Sequence, residues 1–126
     1  MTRRLRECLL VMLAFVVMTA IVFRPLPWHL STLVYNPENN DGQFSVWNIA
    51  WVARTLWRDP LHVLDANIFY PHRWTLAYSE LNLMAGALAS PVYWLTGSAY
   101  AAHNFVLLLS FVLSGTSMYF LCRDVS

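Results

Sequence analysis

The sequence predicts an all-α, polytopic membrane protein of about three transmembrane helices, with an extracytoplasmic loop that carries an amphipathic interfacial helix. Three observations predict it. Hydrophobic residues make up 58% of the chain and charged residues 12%, about half the charge of an ordinary soluble domain. Mean hydropathy is positive, more apolar surface than a soluble chain of this size could bury. Two uncharged apolar stretches, Cys8 to Phe23 and Tyr100 to Cys122, are close to the ~20 residues that cross a bilayer.

The first span runs from about Leu5 to Phe23. Arg3, Arg4 and Arg6 precede it and place the amino terminus in the cytoplasm by the positive-inside rule. A cleavable signal peptide shares this basic start and apolar run. However, no small-x-small site follows; the chain continues Arg24-Pro25-Leu26-Pro27-Trp28. Arg6 and Arg24 can snorkel to the two interfaces, and Pro25 and Pro27 stop the helix.

Residues 24–80 are the least hydrophobic part and are extracytoplasmic in this topology. Asn36-Pro37-Glu38-Asn39-Asn40 leads into a turn cluster ending at Gly42. Asn40 and Gln43 have the spacing of a weak capping box, so a helix begins near Asp41 and covers about 42–58. On its wheel Phe44, Trp47 and Trp51 fall on one side. Val46, Ile49, Ala50, Ala53 and Trp57 fall on the other. Arg54 interrupts the run, so the helix lies in the interface rather than spanning. Asp59-Pro60 ends it. Residues 61–79 read as irregular.

A second span is expected over Leu81–Leu95, loosened at Pro91, with a re-entrant segment as the alternative. Thr96-Gly97-Ser98 turns the chain. The third span covers Tyr100–Cys122, and alternation puts its end outside, at Arg123-Asp124. Its Ser110, Ser114, Gly115 and Ser117 are small enough to let helices approach closely. His103-Asn104 reads as an interfacial or interhelical hydrogen-bonding pair. Cys8 and Cys122 lack metal-ligand spacing and read as small apolar residues rather than a disulfide framework. The net charge of +1 leaves no electrostatic footprint for nucleic acid.

Asp41 is the leading candidate for chemistry. In the first turn of a helix its carboxylate also suits the dipole and the unpaired N–H groups, and the two readings are compatible. Glu38 reads as a solvated loop charge. Glu80 stands where the chain re-enters the membrane, a depth at which ionisable groups are costly and often functional. His72 beside Arg73 could meet an anionic phosphate. The spacing of His62, Asp65, Asn67 and His72 matches no metal motif with a mechanism. The tryptophans read as interfacial belt residues. No Gly-rich phosphate loop, GxSxG or Cys/His nucleophile pair occurs.

In order, Asp41-Gly42-Gln43 before Trp47 and Trp51, Asp59-Pro60, Asn67-Ile68-Phe69-Tyr70-Pro71, Tyr78-Ser79-Glu80, Pro91, Asn104 and Ser114-Gly115 resemble the amino-terminal region of bacterial GT-C superfamily membrane glycosyltransferases, the polyprenyl-phosphate-sugar mannosyltransferase-like group. The resemblance implies a bacterial inner-membrane helical bundle. It implies sugar transfer from a polyprenyl-phosphate donor at the outer face, and a loop acid, here Asp41, as catalytic base or acceptor-positioning group. Glu80 is a second candidate by position. Some members of the group use a divalent metal near the loop acids. The later helices of such proteins are absent from these 126 residues, so the chain reads as an amino-terminal part whose partners are the bilayer, the lipid-linked sugar and the remaining helices of a longer parent. The competing class is a non-enzymatic polytopic protein, a transporter or assembly subunit. A transporter would bury polar groups near the bilayer midplane, whereas the acids here concentrate outside the spans.

Overall fold

A computed structural model describes residues 3–34 and 40–125; Glu38 lies outside them. The described residues hold four α-helices and no strand, α1 (Arg3–Val22), α2 (Asn40–Thr55), α3 (Leu83–Thr96) and α4 (Ala99–Val125), with short 3-10 turns after α1 and between α2 and α3. They fall into two compact units. One holds α1 and the part of α4 from Leu107 onward; the other runs from Leu30 to Val106.

In the first unit α1 and α4 pack antiparallel. Near the start of α1, Glu7 accepts an ion-paired hydrogen bond from Arg123 at 2.7 Å and one from the Tyr119 hydroxyl at 3.3 Å. Midway, Phe15 lies over Gly115, where any Cβ would collide with its ring. Just past the end of α1, Phe23 and Phe111 pack with centroids 4.7 Å apart. Of the four small residues expected to let helices approach, only Gly115 does so here. Ser110, Ser114 and Ser117 are exposed, and Ser110 donates to the Leu107 carbonyl of its own helix.

Segments Arg4–Val22 and Ala99–Val125 are long and apolar enough to cross a membrane, and few of their residues are buried within the protein. Leu83–Thr96 has 14 residues, about 21 Å of helix, against a hydrocarbon core of ~30 Å. The expected second span is therefore shorter than a crossing requires. The expectation for the third span's end also changes. Arg123 does not lie at the opposite end of the bundle from the amino-terminal arginines; it lies beside Glu7, because α4 returns along α1. Cys8 and Cys122 form no disulfide.

In the second unit α2 packs on α3. The crossing is close because Gly86 has no Cβ. One would collide with Val52 and stand 3.3 Å from the Ile49 carbonyl. Ser90, one turn on, is buried. Its hydroxyl donates to Gly86 O at 2.8 Å and accepts from the Trp57 indole at 3.1 Å. Trp57 stands edge-on to Trp94, 6.0 Å between centroids. Helix α3 is continuous through Pro91, and Gly97 ends it in the left-handed region, φ 66°, with its N–H on Tyr93 O. Two apolar cores result. Ile49, Ala89 and Ala102 join α2, α3 and the start of α4. Val52, Val63, Ala66 and Leu76 join α2 to the connection that follows it.

Candidate functional site

Helix α2 organises the site. It begins at Asn40, so Asn40 is the first helical residue rather than a cap, and Asp41 stands exposed in the first turn. There a carboxylate gains from the positive end of the helix dipole, roughly 0.3–1 kcal/mol. Of the side expected to carry Val46, Ile49, Ala50, Ala53 and Trp57, the residues Val46, Ile49 and Ala53 are buried, Ala50 is half-buried and Trp57 is exposed. On the other side the aromatic residues pack together. Phe44, Trp47 and Trp51 form a ladder with centroid separations of 5.5 and 6.3 Å. However, Trp47 and Trp51 also pack on the Val63–Leu76 core, and the Trp51 indole donates to Val63 O at 3.0 Å. The helix thus makes protein contacts along both sides. It ends at Thr55, and Asp59 closes the turn through its N–H on Thr55 O.

Asn48 is fully buried on α2, and its amide donates to the backbone carbonyl of Glu80. Asn48 stands seven residues, two turns, beyond Asp41, so both lie on one stripe of the helix. Glu80 is thereby fastened to the side of α2 that carries Asp41, about 10 Å farther along the axis. Both acids are exposed. The amide oxygen of Asn48 is buried and has no protein partner among the described residues.

The connection between α2 and α3 is a constructed loop rather than an irregular one. Asp65 Oδ1 accepts from Trp74 N at 2.7 Å, the Thr75 hydroxyl donates to Ala66 O at 3.1 Å, and Leu76 N bonds Leu64 O at 3.0 Å. These bonds hold Phe69 and Trp74 at φ 57° and 59°, left-handed positions that cost non-glycine residues of order 1–3 kcal/mol. The loop brings His72 and Arg73 together with Phe69, Thr75, Tyr78 and Ser79 around a cavity of ≈ 360 Å³. A second cavity, ≈ 190 Å³, is lined by Trp47, Ala50, Trp51, Arg54, Asn67 and Tyr93. Asp41 lines neither.

The other ionisable residues of the loop are engaged separately. His62 Nδ1 lies 2.8 and 2.9 Å from the two Asp59 carboxylate oxygens. Hydrogen bonding to Asp59, then its charge, raises the His62 pKa above 6.5. Any stabilisation from this pair is complete below the unfolded pKa and is lost as pH rises through the folded one. An NMR titration should therefore place the His62 midpoint above 6.5, and Asp59→Asn should bring it down. Asp65 serves Trp74. Among the described residues no group of three or more His, Cys, Asp or Glu side chains lies close enough to hold a metal ion. Asn104, expected to bond between segments, is fully buried and donates to Leu30 O and Leu33 O at 2.8 and 2.6 Å.

Sequence reasoning missed Asn48 and Arg54 as site builders. The first read as incidental polarity and the second as an interruption. What they meet, Glu80 for the first and a cavity shared with Asn67 and Tyr93 for the second, is distant in sequence, and no local pattern records it. No protein-family model, no curated protein and no solved structure matches the chain.

Proposed function

We propose that the chain is the amino-terminal part of a GT-C type membrane glycosyltransferase that moves a sugar from a polyprenyl-phosphate donor to an acceptor at the extracytoplasmic face, with Asp41 as the base. The carboxylate takes the proton of the acceptor hydroxyl as it attacks the anomeric carbon. Its charge also favours the oxocarbenium-like transition state. The observation that supports this most is the attachment of Glu80 to the Asp41 side of α2 through Asn48. It brings the backbone of Glu80, an exposed acid, onto the stripe of α2 that begins at the exposed Asp41. Asp41 acts on the acceptor, and Glu80 hydrogen-bonds substrate hydroxyls. His72 and Arg73, lining one cavity, take the donor phosphate through charge-assisted hydrogen bonds. Helices α1 and α4 span the bacterial inner membrane, residues 24–98 lie outside, and further helices of a longer parent complete the donor site.

Sugar transfer from polyprenyl-phosphate donors, assayed with the full-length protein in membranes, tests the assignment. General-base loss predicts that Asp41→Asn lowers turnover by about 100-fold or more, whereas Arg73→Ala raises KM with kcat little changed. Unchanged turnover in Asp41→Asn would remove Asp41 as the base.

A further inference from the structure

Arg54 lies in the last turn of α2 and lines the ≈ 190 Å³ cavity together with Trp47 and Trp51. Three features of that cavity are specific. Its platform is rigid: the two indoles lie 26° from parallel, and the Trp51 ring is fixed by its bond to Val63 O. The short side chain of Ala50, which also lines the cavity, leaves room beside the rings. Its rim is polar and unmet. The side chains of Arg54, Asn67 and Tyr93 make no hydrogen bond to protein among the described residues, and the ion pairs found there, His62–Asp59 and Arg123–Glu7, do not involve Arg54.

Each feature selects part of a ligand. An aromatic face carries partial negative charge and attracts the polarised C–H groups on one face of a saturated ring. The Asn67 amide and Tyr93 hydroxyl can both donate and accept, as the rim hydroxyls of a sugar require. The guanidinium presents a planar fork of donors suited to a carboxylate or phosphate. The volume is below the ~300 Å³ at which drug-sized sites begin and admits a single ring.

We infer that this cavity binds one pyranose ring bearing an anionic group, a carboxylate or a phosphate, with the ring on Trp47 and Trp51 and the anion on Arg54. The site is separate from the proposed reaction centre. Arg54 lies 13 residues from Asp41 on the same helix, about 20 Å along the axis, beyond the reach of the Asp41 carboxylate. It therefore stands whether or not Asp41 is a base.

Titrating glucuronate, glucose 6-phosphate, glucose and inorganic phosphate into the detergent-solubilised protein tests it, read by tryptophan fluorescence and saturation-transfer NMR. Both anionic sugars should bind. Loss of the charge-assisted bonds should make glucose weaker by about tenfold or more. Arg54→Gln should erase the preference for glucuronate over glucose, and Arg54→Lys should retain part of it. Asn67→Ala, at an exposed position, should weaken all three sugars. Asp41→Asn should leave binding unchanged, so loss of turnover there and loss of binding at Arg54 report on different claims. Equal binding of glucose and glucuronate, or identical affinities in the wild type and Arg54→Gln, would overturn the anion assignment. Inorganic phosphate binding as tightly as glucose 6-phosphate would overturn the ring, leaving a bare anion site.

Discussion

Replacing Asn104 by alanine should cost about 1–3 kcal/mol for each carbonyl it strands, and it strands two. The Asn104 amide is the described partner of Leu30 O and Leu33 O. The residue itself is fully buried, whereas Leu33 is 39% exposed, so water offsets part of the loss and the total should fall nearer the lower figure. Asn104→Leu should be no better, since filling the volume leaves both carbonyls unpaired. Fluorescence melts in detergent and limited proteolysis between residues 30 and 40 measure the cost. Under the same conditions Ser110→Ala serves as a control, because the Ser110 hydroxyl is exposed and bonds only within its own helix. Equal melting of Asn104→Ala and wild type would show that the two carbonyls find water, and the segment would then be less tightly held than its bonds imply.

Buried amides such as Asn104 and Asn48 mark the limit of what local sequence carries here. The long helices were legible because a bilayer demands length and apolarity, both local quantities. Expected bounds of Leu5–Phe23 and Tyr100–Cys122 fall within three residues of α1 and α4. The start of α2 was legible from turn chemistry, and a 3.6-residue period separated Val46, Ile49 and Ala53 from the side of Trp47 and Trp51. Less legible was anything decided by a partner far along the chain. Gly86 admits Val52 from another helix, Ser90 meets Trp57, and Asn48 meets Glu80. The loop after α2 looked irregular because its order comes from Asp65 and Thr75 bonding across nine residues, which no periodicity reports. Arg54 broke an apolar pattern and so read only as a reason against a span. In the fold it is the cation of a cavity.

The membrane topology should show two crossings, with Asp124 on the same side as the amino terminus. The antiparallel pairing of Glu7 with Arg123 and of Phe23 with Phe111 requires this if α1 and α4 both cross. The charge pattern agrees. Arg3, Arg4, Arg6 and Arg123 gather at one end of the pair, while the other end has Arg24 close to it in sequence, so the positive-inside rule puts the four-arginine end in the cytoplasm. Helix α3, at 14 residues, then remains outside with residues 24–98, attached to α2 through Gly86 and Ser90. Single cysteines at positions 70 and 124, in a background with Cys8 and Cys122 replaced by serine, decide the matter. Tyr70 is 95% exposed and belongs to the external segment, so Tyr70→Cys should react with a membrane-impermeant maleimide in intact cells. Asp124→Cys should react only after permeabilisation. Labelling of position 124 in intact cells would instead demand a third crossing by Leu83–Thr96. A third crossing would separate α3 from the external α2, breaking the packing at Gly86 and Val52 that the second unit is built on.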